Sequence, residues 1–249
     1  KVEASEPQNS STSMKVVESV FASSGFNALK FLYLARLEKI TWYSGVPTMH
    51  QAILLRANKN KEAAKNLNLR LIRSSSASLP PAVFKDLNEA FNCPVIEAYG
   101  MTEATHQMTS NPLPPKQQKA GFVGLPAGPE VCIMSENGDM MKQGEEGEVC
   151  IKGENVTLGY ENNEEANKTS FTNGWFRTGD QGYFDEDGYL KISGRLKEII
   201  NKGGEKISPL EVDNVLMDHP SIDQAVCFGY EDKTVSYTHL RAHETGWYL

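Results

Sequence analysis

Strand-like apolar runs alternate with amphipathic helical segments in the first half of this chain, and this alternation constrains the fold most strongly. The runs "ITWYSGVP", "LRLIRSSSASL" and "CPVIEAYG" predict buried strands. The segments "TMHQAILLRANK", with Thr48 as its cap, and "PPAVFKDLNEAF" predict helices. In the second helix, Val83, Phe84, Leu87 and Phe91 form an apolar stripe. Strands alternating with helices predict an α/β fold with a largely parallel sheet and helices on its faces.

The second half has the pattern of β-structure followed by a small α+β unit. A turn is expected at Asn137-Gly138, and "GYFDEDGYLKISGR" predicts a hairpin with a two-residue turn at Asp187-Gly188. The changeover to the small unit falls near Gly194-Arg195. There, "KISPLEVDNVLMDHP" predicts a helix that Ser208 caps and Pro220 ends, and "IDQAVCFGY" predicts a strand.

Composition narrows the class of protein. With 39% hydrophobic and 23% charged residues, the chain can form a real core. Its net charge of −7 argues against nucleic acid as the main partner, because phosphate binding needs a concentrated basic face. No apolar run approaches the roughly 20 residues that span a bilayer. The four cysteines are scattered and no signal peptide is seen, which predicts thiols in a reducing compartment and a cytoplasmic location.

A polar stretch directly after the third strand is the first candidate site. In α/β sheets, ligands bind beyond the carboxyl ends of the strands. Tyr99 there could stack on a base, Thr102 could hold phosphate, and Glu103 could hold a divalent cation, since Mg²⁺ prefers oxygen ligands. The alternative is a tyrosine packed at a strand end beside a solvated Thr-Glu pair.

Two further stretches are candidate sites of the same kind. In "GWFRTGD", Asp180 could accept hydrogen bonds from a ribose diol while Gly179 permits close approach; the alternative is an ordinary turn. In "GRLKEIINKGGEKISP", Arg195 could bind hydroxyls or phosphate, and Gly203-Gly204 leave room for a narrow ligand. The alternative there is a basic surface strand with a glycine turn. Neither a Walker A loop nor the spacing Gly-x-Gly-x-x-Gly occurs.

The order of these motifs is more specific than any one of them. "RSSSASL", "EAYGMTEA", "GWFRTGD" and "GRLKEIINKGGEKISPLEV" resemble, in order and spacing, the motifs of the adenylate-forming acyl-CoA synthetase superfamily of AMP-binding enzymes. "WYSGVPTMHQ" and "MTEATHQMTSNPLPP" are most similar to its oxalate–CoA ligase branch, also described as peroxisomal-CoA-synthetase-like proteins. The resemblance implies ATP, Mg²⁺ and CoA as cofactor and co-substrates, with a small carboxylate as substrate.

The resemblance also implies a role for individual residues of the nucleotide site. Ser76 and Ala77 would lie against the adenine or the acyl group. Tyr99 and Gly100 would bind adenine. Thr102 would contact phosphate, and Glu103 would bind Mg²⁺. Asp180 would bind the ribose hydroxyls, and Arg195 would contact ribose or phosphate.

The remaining roles concern the hinge, CoA and the acid. Lys197 stands where the family pivots its C-terminal domain between half-reactions, and Gly203 and Gly204 would border the pantetheine channel. A two-carbon dicarboxylate has no alkyl tail to bury, so its pocket must supply hydrogen-bond donors. His106 could do this with Ser75 or Ser76; the alternative is a surface or capping histidine.

Domain boundaries follow from the resemblance. Residues 1–20 are expected to be disordered or non-homologous, 21–194 to be the C-terminal part of the large AMP-binding domain, and 195–233 to be the hinge and a truncated small domain. Residues 234–249 have no family likeness and resemble translated sequencing adapter, so we expect an artefactual tail.

The expected function follows with its alternatives. The family's phosphate loop and late catalytic lysine have no counterpart here, so the chain itself is expected to be inactive and its parent to be an oxalate–CoA ligase. The alternatives are a ligase or adenylation domain for a medium-chain or aryl acid, and a non-catalytic adenylate- or CoA-binding protein. A peroxisomal location is the alternative to a cytoplasmic one. The sequence gives no indication of oligomeric state.

Overall fold

The computed structural model describes residues 25–202, 205–219, 221–222, 225–232 and 237–242. The predicted parallel strands are present and are neighbours in one sheet. Parallel pairing joins the first three strands, and two short antiparallel strands complete the order β1-β2-β3-β4-β5. These are β1 (Trp42–Gly45), β2 (Leu71–Ser74), β3 (Val95–Tyr99), β4 (Thr109–Ser110) and β5 (Leu125–Pro126).

Four helices pack with β1 to β3 around one apolar core. They are α1 (Ala28–Leu37), α2 (Pro47–Lys59), α3 (Lys61–Lys65) and α4 (Pro81–Phe91). The predicted stripe of α4 is confirmed, since Val83, Phe84, Leu87 and Phe91 are all buried. The predicted cap of α2 is wrong: the helix begins at Pro47, because proline's fixed φ suits the first helical position, and Thr48 lies inside the first turn.

A second, antiparallel sheet follows the first. It has the order β10-β9-β7-β6, with β8 paired to β9. Its elements in chain order are β6 (Glu130–Met134), β7 (Gly147–Lys152), α5 (Glu164–Ser170), β8 (Phe171–Thr172), β9 (Trp175–Phe184) and β10 (Leu190–Arg195). The structure thus has the predicted β-rich part after the α/β part.

Two turns of this sheet were predicted with different success. Gly138 has φ +87 and its N–H donates to the Ser135 carbonyl at 3.1 Å, which confirms the turn at Asn137-Gly138. The two-residue turn at Asp187-Gly188 is wrong, because five residues, 185–189, join β9 to β10. The Asp185 carboxylate accepts from two backbone N–H groups of that loop and stabilises the longer form.

The small α+β unit contains a hairpin, a helix and a strand pair. Its elements are β11 (Ile200–Lys202), β12 (Glu205–Ile207), α6 (Pro209–Met217), β13 (Cys227–Asp232) and β14 (Tyr237–Ala242). Ser208 caps α6 as predicted, since its hydroxyl accepts from the Glu211 N–H at 3.4 Å. The helix ends at Met217, and Pro220, the predicted stop, lies outside the described residues. β14, from the predicted tail, pairs antiparallel with β13.

The fold class is therefore as predicted: a partial α/β unit with a β-rich part and a small α+β unit. In the first sheet, the register also places the ends of the three parallel strands side by side. Gly45, Ser74 and Glu97 are neighbours across β1, β2 and β3. Since these strands run parallel, the turns that follow them emerge at the same edge. Among the described helices, none combines the length and the apolar character needed to cross a membrane.

Candidate active site

The turn after β3 folds back closely on its own start. A Cβ atom added to Gly100 would lie 2.2 Å from the carbonyl oxygen of His106. A side chain at position 100 is therefore incompatible with this turn. Between the two residues, Thr102–Ala104 form a single 3-10 turn, and the His106 N–H donates to the Met101 carbonyl at 3.0 Å. The close approach of the His106 backbone therefore requires glycine at position 100, in addition to the adenine contact that the resemblance implies.

Three predicted residues from distant parts of the chain meet in one cluster. The Tyr99 hydroxyl donates to Asp180 Oδ2 at 2.5 Å, and Arg195 Nε lies 3.1 Å from Asp180 Oδ1. The Asp180 side chain is 8% exposed, whereas that of Arg195 is 66% exposed. Burial, reinforced by the neighbouring Asp180 carboxylate, raises the pKa of Tyr99 far above its usual range, so the phenol is a permanent donor. This cluster offers an aromatic face, a carboxylate and an exposed guanidinium at one place.

Asp180 lies within β9 and not in a turn, and a buried ion pair that the sequence did not reveal supports this part of the strand. Arg177 Nε donates to Glu148 Oε2 at 2.7 Å, and the N–H of Gly179 donates to Glu148 Oε1 at 2.9 Å. Gly179 has φ +76, a conformation that glycine adopts without strain. The available signal was a carboxylate inside the apolar run "GEVCIK", where an unpaired charge would be costly.

Glu103 is half-buried and its carboxylate is oriented by a partner that was also not predicted. The hydroxyl of Tyr160 donates to Glu103 Oε1 at 2.8 Å. The carboxylate keeps a second oxygen, Oε2, and Thr102 beside it is exposed. Hard oxygen donors of this type suit Mg²⁺, which commonly takes one or two protein carboxylates and completes its shell with water and phosphate oxygens. The donor set at this turn therefore fits the predicted metal.

The predicted acid-binding residues lie at the same edge of the sheet. Ser75, Ser76 and Ala77 directly follow β2, and His106 follows β3, its neighbour. Ser76 and His106 are exposed and have left-handed φ values of 74 and 62. No hydrogen bond joins these serines to His106 within the described part of the chain. The structure thus places these residues after neighbouring strands at one edge of the sheet.

The predicted hinge begins where the ladder between β9 and β10 ends. The N–H of Leu196 donates to the Gly179 carbonyl at 2.9 Å, and Lys197, the next residue, is exposed. Residues 195–198 form a turn in which the Glu198 N–H donates to the Arg195 carbonyl at 2.9 Å. Gly203 and Gly204, predicted to border the CoA channel, lie outside the described residues.

Sequence comparison identifies relatives that match most of this chain. The profile of the AMP-binding enzyme family matches residues 17–161. An oxalate–CoA ligase of Arabidopsis thaliana is 54% identical over 213 residues, which are 85% of this chain and 41% of that ligase. An oxalate–CoA ligase of Saccharomyces cerevisiae is 50% identical over 216 residues, which are 86% of this chain and 39% of that protein.

Structural comparison gives the same result. The O-succinylbenzoate coenzyme A synthetase of Bacillus subtilis, solved in complex with ATP and magnesium ion, superposes with a TM-score of 0.73 and 33% identity. The match covers 87% of this chain and 44% of the synthetase. This chain thus spans about two fifths of the length of its relatives, and it belongs to the family of AMP-binding enzymes.

Proposed function

We propose that this chain is part of an ATP- and Mg²⁺-dependent carboxylate–CoA ligase whose acid is oxalate. The reaction has two halves. The carboxylate attacks the α-phosphate of ATP to give an acyl-adenylate and pyrophosphate, and the CoA thiol then displaces AMP to give the thioester. The convergence of Tyr99, Asp180 and Arg195, with Glu103 in the turn that follows Tyr99, carries the proposal, because it supplies groups for the adenine, the ribose and a phosphate-bound metal ion.

Each residue of the cluster has a specific task. Asp180 accepts hydrogen bonds from the ribose hydroxyls, since each carboxylate oxygen has a second lone-pair direction beyond those used by Tyr99 and Arg195. Arg195 moves aside or adds a contact to ribose or phosphate, as its exposure permits. Tyr99 presents its ring to adenine, with Ser76 and Ala77 beside it. The bound Mg²⁺, held by Glu103, neutralises phosphate charge.

The choice of oxalate depends on the polar character of the acyl side. Ser75, Ser76 and His106 end two adjacent strands and offer hydrogen-bond donors, which a second carboxylate requires. The identity to two oxalate–CoA ligases supports the same acid. We further propose that Gly203 and Gly204 border the path of CoA, that Lys197 is the pivot for the small domain, and that the 249-residue chain alone is inactive.

The decisive experiment measures pyrophosphate release by a protein of the relatives' full length that contains this chain. Oxalate, malonate, a medium-chain acid and an aryl acid are compared at equal concentration, with free Mg²⁺ in excess because oxalate itself binds the ion. We expect the highest kcat/KM for oxalate, and no turnover after metal chelation. Preference for another acid would reject oxalate, and AMP binding without turnover on any acid would reject the ligase.

His106→Ala in the same protein tests the acid-binding role. We expect the preference for oxalate over the medium-chain acid to fall about tenfold or more, because a hydrogen-bond partner of the distal carboxylate is lost. Gln107→Ala serves as the matched control, since it alters the exposed residue next to His106, whose side chain makes no hydrogen bond within the described part of the chain. An unchanged preference in His106→Ala would contradict the role.

A further inference from the structure

The turn that carries Glu103 has a backbone that its own sequence does not favour. Thr105 and His106 both have left-handed φ values, 55 and 62, which cost a non-glycine residue roughly 1–2 kcal/mol each. Such a conformation persists only where its surroundings enforce it. The surroundings are supplied by residues 153–160 after β7, here called the clamp segment.

Three hydrogen bonds connect the clamp segment to the turn. The Thr105 hydroxyl donates to the Asn155 carbonyl at 2.8 Å, and Asn155 Nδ2 donates to the Ala104 carbonyl at 2.9 Å. The N–H of Thr157 donates to the Glu103 carbonyl at 2.7 Å. Three consecutive residues of the turn are therefore tied to one segment, which fixes the backbone of Glu103.

Tyr160 then fixes the side chain of Glu103. Its own backbone is held at both polar groups, since its N–H donates to Asn167 Oδ1 at 2.7 Å and its carbonyl accepts from Asn167 Nδ2 at 2.9 Å. Its ring packs near Phe176, with centroids 6.4 Å apart. The hydroxyl of this rigid residue donates to Glu103 Oε1 at 2.8 Å. One carboxylate oxygen is therefore fixed by the protein, and Oε2 is left for a further ligand.

We propose that Tyr160 is a positioning residue for the metal ion: its hydroxyl holds the Glu103 carboxylate in the orientation in which Oε2 binds Mg²⁺. The inference depends on the proposed function, in which Glu103 is the metal ligand. A carboxylate that must first be ordered binds a cation more weakly than one held in place. Loss of such outer partners typically costs 10–100-fold in metal affinity.

The test uses Tyr160→Phe in the full-length protein, with Mn²⁺ in place of Mg²⁺ as a spectroscopic probe. Free Mn²⁺ is titrated by electron paramagnetic resonance in the presence of an ATP analogue that cannot be cleaved between the α- and β-phosphates. We expect the Mn²⁺ dissociation constant to rise about tenfold. Metal-free AMP binding should remain within twofold, and excess metal should restore kcat.

Tyr189→Phe is the matched control. It removes a hydroxyl that donates to the Gln117 carbonyl at 2.7 Å, away from Glu103, so Mn²⁺ affinity should not change. If Tyr160→Phe and Tyr189→Phe bind Mn²⁺ equally well, the inference is overturned. It is also overturned if Tyr160→Phe loses metal-free AMP binding, because the residue would then only maintain the fold.

Glu103→Gln separates this inference from the proposed function. We expect it to weaken Mn²⁺ binding at least as much as Tyr160→Phe. If Glu103→Gln binds Mn²⁺ normally, Glu103 is not the metal ligand and that part of the proposed function fails together with the inference. If Glu103→Gln weakens binding and Tyr160→Phe does not, only the role of Tyr160 fails.

Discussion

The hydroxyl of Tyr99 donates a 2.5 Å hydrogen bond to the Asp180 carboxylate, across 81 positions of the chain. This bond joins the end of β3 to the middle of β9 and so connects the two sheets at the site. Because the acceptor is charged and nearly buried, the bond is stronger than one between neutral groups. It also orients the tyrosine ring that we propose as the adenine contact.

Tyr99→Phe should weaken AMP binding roughly 10- to 100-fold, since a hydrogen bond to a charged group contributes about 1.5–3 kcal/mol. The ring remains, so the loss reports the hydroxyl and the orientation of Asp180. Calorimetric titration of AMP into the full-length variant measures the effect, with Tyr189→Phe as the comparison. Equal AMP affinity in wild type and Tyr99→Phe would show that the bond does not organise the nucleotide site.

Gly100→Ala should destabilise the protein by about 3 kcal/mol or more, because the new methyl group meets the backbone of His106 rather than a movable side chain. Gly144→Ala is the matched control. Gly144 has φ +83 and open space around it, so that variant reports backbone strain of roughly 1 kcal/mol alone. Thermal unfolding of both variants checks this, and a smaller loss for Gly100→Ala would mean that the turn relaxes easily.

Glu97 should make the protein less stable as pH rises. Burial raises its pKa to about 8, and the Gly121 N–H that donates to it at 2.9 Å only partly opposes this shift. Between about pH 4.5 and 8 the folded state keeps a proton that the unfolded state releases. Stability therefore falls with rising pH, by up to about 1.4 kcal/mol per pH unit.

Glu97→Gln removes that titration and keeps an oxygen acceptor for Gly121. As pH rises from 5 to 8, the melting temperature of the variant should rise relative to that of wild type. If the melting temperatures of the two proteins differ by the same amount at every pH in this range, Glu97 is not protonated in the folded state.

His50 should have the opposite effect at acid pH. It is fully buried, its Nδ1 lies 3.3 Å from the Tyr43 hydroxyl, and burial lowers its pKa to about 4. The unfolded chain binds a proton below about pH 6.5, whereas the folded protein does so only near pH 4. Stability is therefore present above pH 6.5 and is lost as pH falls toward 4.

His50→Gln should flatten this acid loss. The difference in melting temperature between variant and wild type at pH 8 gives the packing cost of the substitution. That difference should shrink as pH falls from 6.5 to 4.5. A constant difference at all pH values would show that His50 does not titrate in this range.

The sequence predicted what depends on local pattern. The stripe of α4 follows from helical periodicity, and β1 to β3 follow from apolar runs bounded by turns. Tyr99, Asp180 and Arg195 were predicted singly and through the motif order, but their direct contact required the structure. It depends on how two sheets meet, which no periodicity of the chain encodes.

The residues that support the site were not predicted. The pairing of Glu148 with Arg177 depends on an irregular register between β7 and β9, and a sequence does not show where a ladder shifts. Tyr160 reaches Glu103 from 57 positions away through the clamp segment, which has no regular secondary structure. The hairpin of β9 and β10 is as predicted, but its two-residue turn at Asp187-Gly188 is wrong for a related reason, since the Asp185 carboxylate stabilises a longer loop than the dipeptide suggests.

The hydrogen bond from the Leu196 N–H to the Gly179 carbonyl determines where the following backbone can first rotate. Up to Leu196, the backbone is hydrogen-bonded to β9, the strand that carries Asp180, so the small-domain rotation that we propose would begin no earlier than Lys197. The salt bridge of Arg195 to Asp180 lies immediately before that hydrogen bond. If a nucleotide drew Arg195 away from Asp180, the neighbouring bond from Leu196 to Gly179 would be the last contact that holds this backbone to β9, so we expect nucleotide binding and the proposed rotation to be coupled through these two adjacent residues.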